Sequence, residues 1–101
     1  MNRNIVQAIE KLKSTFPEAR FIVFGSQATG TANKDSDLDL CAVFPSLSKD
    51  PFDLIYDIRV EARKYISIAM DIIVLSEPAY TSRSHQNGSL EHIIAAEGIA
   101  V

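Results

Sequence analysis

The sequence predicts an α/β chain of the α+β kind: a small mixed β-sheet of three strands or more, flanked by helices. Three observations predict it. Short apolar runs at 21–24, 37–44 and 71–75 have the length and the β-branched or aromatic content of buried strands. The stretches 4–16 and 51–67 instead carry apolar residues three and four apart, the period of an amphipathic helix. The first apolar run closes on Gly25-Ser26, whereas the second and third open on carboxylates, Asp37 with Asp39 and then Asp71.

Each element follows from local chemistry. Ile5, Ile9, Leu12 and Phe16 share one face of a first helix from about Asn4 to Thr15, which Pro17 ends. Phe21 to Phe24 is the first strand. Ser26 to Thr29 can form one helical turn, stopped by Gly30, whose part is conformational and calls for positive φ. The connection 31–35 is polar and loop-like. Asp37 to Phe44 is the second strand, ended by Pro45. Asp50 is an expected N-cap and Pro51 suits the first position of a helix running to about Ser67. Its apolar stripe is Leu54, Ile55, Ile58, Ala62, Tyr65 and Ile66, with Arg59, Glu61, Arg63 and Lys64 off it. Asp71 to Leu75 is the third strand. The segment 76–88 turns polar and is expected at the surface, with a helical turn near Tyr80. Ser89 caps a final helix through Leu90, Ile93, Ile94 and Ala96, ending near Gly98. Ile99-Ala100-Val101 is an apolar end, expected either as a trimmed terminus or as a segment that docks on the chain itself or on a partner.

Composition bounds the rest. With 101 residues, 47% of them hydrophobic, one domain spanning 1–101 with one modest core is expected. A net charge of −3 with no Lys/Arg block argues against strong binding to nucleic acid. The lone Cys41 lies in an apolar strand and is expected as a buried small hydrophobe in a reduced, cytoplasmic setting. No stretch reaches membrane-spanning length, so a soluble protein with no membrane partner is expected.

Side chains two apart on a strand point to one face, so Asp37 and Asp39 set two anions side by side. That arrangement makes sense where a cation sits between them. For the residues carrying chemistry to meet, Gly25 and Ser26, at the end of strand one, must lie beside the beginnings of strands two and three. Strand one is then antiparallel to the other two, which are parallel to each other and joined by the long helix as a right-handed crossover.

Gly25-Ser26 followed, after residues 27–36, by Asp37-Leu38-Asp39-Leu40 resembles the signature of the nucleotidyltransferase superfamily that includes DNA polymerase β. In its size the chain is similar to the minimal nucleotidyltransferases. The resemblance implies the nucleotidyltransferase fold, with Gly25, Ser26 and Gly30 in the turn that holds the triphosphate. It also implies Asp37, Asp39 and Asp71 as catalytic ligands of two Mg²⁺ ions, and ATP as the substrate. Many relatives carry an arginine in this turn, where Gln27 and Thr29 stand here; Lys34 is the nearby cation. His85 and His92 lack metal-ligand spacing and are expected at the surface, as is Arg83. Small members of the superfamily resemble antitoxins of toxin–antitoxin pairs. The expected reaction is therefore transfer of AMP to a hydroxyl, a tyrosine of an all-helical HEPN-type toxin. The alternatives are transfer to a small molecule such as an antibiotic, with a helical partner subunit, and a non-catalytic binding module. Leu90, Ile93, Ile94, Ile99 and Val101 are expected to leave an apolar patch for that partner or for a second copy.

Overall fold

Four strands form one mixed sheet in the computed structural model, which describes residues 1–33 and 36–101. The elements are α1 (Arg3–Thr15), β1 (Arg20–Phe24), α2 (Ser26–Thr29), β2 (Leu38–Phe44), α3 (Pro51–Ala62), β3 (Met70–Ser76), α4 (Glu77–Ser84), α5 (Leu90–Glu97) and β4 (Ile99–Ala100). In space the strand order is β3-β2-β1-β4. β1 runs antiparallel to β2 and β4, and β2 runs parallel to β3, with α3 as the crossover. The strand directions argued from the carboxylates hold.

Alternation along the strands gives the sheet two apolar faces. Phe21 and Val23, then Leu40, Ala42 and Phe44, then Ile72 and Val74 join Ile5, Ile9 and Leu12 of α1 and Leu54, Ile58 and Ala62 of α3 in the larger core. Phe16 stands edge-on to Phe44, ring centroids 6.3 Å apart, and closes the end of that layer. The opposite face, Ile22, Phe24, Cys41, Val43 and Leu75, is covered by Tyr80 of α4 and Ile94 of α5. At the rim of this second layer Arg20 donates to both carboxylate oxygens of Glu77, at 2.6 and 3.2 Å, and its guanidinium lies over the Tyr80 ring. Cys41 is fully buried and burial pushes its thiol up to about 12, as suits an inert core residue.

Two expectations change, and one alternative left open is settled. Segment 76–88 holds a full helix, α4, because Ser76 accepts from the Ala79 amide, Glu77 lies in the first turn, Pro78 fits there, and Tyr80 is buried. The long helix ends at Ala62 rather than near Ser67: Lys64 and Tyr65 bond to carbonyls three residues back, tightening the chain so that it can turn into β3. The apolar end docks on the chain itself, as a fourth strand on the free edge of β1, with Val101 N donating to Phe21 O at 3.0 Å. Gly98 permits this approach. A Cβ there would lie 2.5 Å from both Ile22 Cγ2 and Ile94 O.

Val6, Phe52, Tyr56, Val60, Leu90, Ile93 and Ile99 are exposed, while Ile94 is buried. Among the described residues no helix is long and apolar enough to cross a membrane.

Candidate functional site

The register sets three positions in one row across the sheet: Phe24 of β1 opposite Asp39 of β2, and Asp39 opposite Asp71 of β3. Neighbouring strands lie about 4.8 Å apart, so the row brings Asp39 and Asp71 closer together than two alternate residues on one strand, about 7 Å apart. Both carboxylates belong to the sheet face covered by α4 and α5 and lie at the end where Asp71 is exposed. Asp37 is also exposed, one residue before β2 begins, a residue later than expected. Burial, a hydrogen-bond approach to the Asp71 carboxyl, and the charges of Asp71 and Asp37, in that order, raise the pKa of Asp39 above the ordinary carboxylate range. Asp71 and Asp37 therefore both act on Asp39. Among the described residues no three His, Cys, Asp or Glu side chains already converge as a metal-ligand set.

Next to Asp39 the chain turns at Gly25, with φ +69° and ψ −152°, a backbone region open essentially to glycine. The side chain it lacks matters as much. A Cβ here would meet the Asp39 carboxylate, 3.1 Å from Cγ and nearer still to Oδ2. The one-turn helix α2 then begins, with Ala28 N and Thr29 N donating to Gly25 O at 3.0 and 3.1 Å. It closes at Gly30 in the left-handed region, φ +79°, as the sequence predicts. Thr29 spends its hydroxyl within the turn, on Gly25 O and Thr31 Oγ1. Gln27 and Gly30 look instead into an open cleft of about 420 Å³, shared with Asn2, Ile5, Ser36 and Ile68. Neither Asp39 nor Asp71 lines this cleft, and no charged side chain does among the described lining residues.

The remaining sequence candidates fall away from the row. Lys34 lies outside the described residues. Arg83 and His85 are exposed on and after α4. His92 is half-buried, with Nδ1 2.9 Å from Ser84 O, and ties the α4–α5 connection together. Sequence reasoning required Asp39 and Asp71 to meet but missed that they pair directly across strands, nearer than two alternate residues on one strand; the parallel pairing it did infer was the signal that could have found it.

A row of two carboxylates backed by a glycine turn can hold a hard divalent cation, and Asp39 in particular gains by one. The comparisons with known proteins concern the family and the fold. A family model described as a nucleotidyltransferase domain matches residues 5–87. No curated protein matches the chain. Among solved structures, a crystal structure of a candidate nucleotidyltransferase from Sulfolobus solfataricus is similar in fold, with a TM-score of 0.56 at 20% identity, covering 99% of this chain and 87% of that one.

Proposed function

The chain belongs to the nucleotidyltransferase domain family, and from that premise we propose that it transfers AMP from ATP to a hydroxyl group. The observation that carries the proposal is the row made by the Gly25 turn, Asp39 and Asp71 across three strands. Divalent metal, which domains of this family generally use, would be held by Asp39 and Asp71 with Asp37, and would neutralise the phosphate oxygens. Gly25 lets the Asp39 carboxylate come against the backbone, and Ser26, opening the helical turn that follows, would add a hydroxyl donor to a phosphate. In the reaction the acceptor oxygen forms a bond to the α-phosphorus, the bond to pyrophosphate breaks, and the hydroxyl proton passes to a carboxylate. Asp71, exposed at the end of the row, is the base we assign.

The acceptor we propose is a tyrosine hydroxyl on a helical HEPN-type protein. Two features support a protein acceptor: among the described residues the cleft beside the turn offers no charged side chain to a small polar substrate, and apolar side chains stand exposed on three helices, α1, α3 and α5. On α3 Phe52 and Tyr56 are 79% and 67% exposed, more than a surface without a partner favours. Ten Lys and Arg against thirteen Asp and Glu give a nucleic acid little to hold.

The test is intact-mass spectrometry on the chain incubated with Mg²⁺, ATP and a HEPN-type partner. The partner is expected to gain mass in steps of one AMP, and the Asp39→Asn, Asp71→Asn variant to give none. Binding without mass gain would make the chain a contact-only module, and labelling of a hydroxylated antibiotic in place of the partner would shift the acceptor to a small molecule.

A further inference from the structure

β3 is an outer strand of the sheet, so one side of its backbone has no neighbouring strand. In a β-ladder successive residues turn their carbonyls to opposite sides. On the inner side Ala69 O accepts from Leu38 N at 2.9 Å, which sets the register just ahead of the carboxylate row. The next carbonyl, Met70 O, is the one immediately before Asp71. It accepts a hydrogen bond of 3.2 Å from Arg59 Nη2, reaching down from α3 in a partly buried setting. A second arginine one turn on, Arg63, donates from Nη1 to Ile68 O at 2.7 Å, but this bond is exposed and farther from the row.

We propose that Arg59 is a positioning residue for nucleotidyl transfer: its guanidinium fixes the outer edge of β3 at Met70 and so holds the Asp71 carboxylate beside Asp39. The bond goes to backbone, so Arg59 acts through Asp71 and not on substrate. An edge carbonyl without this donor would turn to water and leave the first residues of β3 held from one side only. Because Asp71 lies in this first turn of the strand, its placement depends on that second attachment. The inference rests on the reading of Asp39 and Asp71 as the metal-holding pair.

Mn²⁺ alone, titrated into the 101-residue chain and followed by paramagnetic resonance, tests it. Arg59→Met keeps the length of the side chain and removes the donor. It is expected to bind Mn²⁺ about tenfold more weakly, the size found when groups behind metal ligands are removed. Its kcat should fall by a similar factor, with a smaller change in KM for ATP. Electrostatics alone predicts the opposite sign, since removing a cation near an anionic pair favours metal binding. Arg63→Met makes the same charge change just past the end of the same helix and is expected to stay within about twofold, as exposed contacts do. Arg59→Lys, which restores a donor, should recover most of the affinity. Should Arg59→Met fail to fold, Arg59→Gln, too short to reach, takes its place with the same expected loss. Unchanged or tighter Mn²⁺ binding in the donor-less variant overturns the positioning role, as does an equal loss in Arg63→Met. If Mn²⁺ binding by the parent ignores Asp39→Asn and Asp71→Asn, the reading of the site itself is what fails.

Discussion

Replacing Asp39 and Asp71 together with asparagine is expected to abolish nucleotidyl transfer, a loss of about a thousandfold or more, while the metal-free fold stays as stable as the parent or becomes more so. The rate loss follows because hard-oxygen ligands hold the cation that neutralises the phosphates, worth several kcal/mol of transition-state charge. The stability gain follows from the raised Asp39 pKa, whose causes are burial and the neighbouring Asp71 and Asp37 carboxylates. A carboxyl raised in the fold favours folding below its unfolded pKa, and that share is lost as pH rises through its folded pKa. Glu77, lowered by its hydrogen bond to Arg20, runs the other way and loses its share as pH falls through its folded pKa. Urea unfolding in chelator at a series of pH values should therefore show a decline just above the ordinary carboxylate range that the double variant lacks. Saturating Mg²⁺ should remove the same decline from the parent. A double variant that is unfolded, or fully active, would be incompatible with the row as a metal site.

Gly25→Ala is expected to cost both stability and turnover, and Gly30→Ala stability alone. Both glycines have positive φ, +69° and +79°, so each substitution strains the backbone. At Gly25 the strain is about 1–3 kcal/mol, enough in a domain of this size to lower the melting midpoint by roughly 4–8 °C per kcal/mol. The added methyl at Gly25 also meets the Asp39 carboxylate, whereas at Gly30 nothing lies within 4 Å. Asp39 must then rotate away from the row, and a displacement on the order of 1 Å can cost about a hundredfold in rate. Calorimetric melting combined with single-turnover transfer at a temperature where all variants are folded separates the two effects. Equal rates for the two alanine variants would show that contact with Asp39 is immaterial.

How far the sequence carried this architecture depends on how local each determinant is. The first three strands announce themselves, since Phe21 to Phe24, Leu40 to Phe44 and Ile72 to Leu75 are apolar runs bounded by Gly, Pro or Asp. Their directions followed from requiring Gly25, Asp39 and Asp71 to meet, and the ladders bear this out. α4 was harder to see because it buries only Tyr80, which leaves almost no helical period; Ser76-Glu77-Pro78 was the legible signal. β4 could not be read locally at all. Ile99-Ala100 is a strand only because β1 has a free edge and Gly98 lets the chain reach it. In the candidate site all three aspartates and both turn glycines stood out in sequence. Which carboxylates lie closest did not, because the spacing along a strand is visible in a sequence and the spacing across strands is not.

The attachment of β4 also bears on how the molecule acquires and loses its shape. β1 can zip to β2 early, the two being close in sequence, but its other edge is covered only when residues 99–100 return across almost the whole chain. Until then the strand Phe21-Ile22-Val23-Phe24 presents unpaired amides on an apolar template. The cover is also slight, two ladder positions, and the helix leading to it is anchored by one buried residue, Ile94. That corner should open on its own, well below the free energy of global unfolding. In hydrogen–deuterium exchange, α5 and Ile99–Ala100 are expected to exchange ahead of β2, and uniform protection across the sheet would refute this. Each opening bares an edge to which a second unfolded chain can add a strand, so clumping during concentrated refolding should begin at β1.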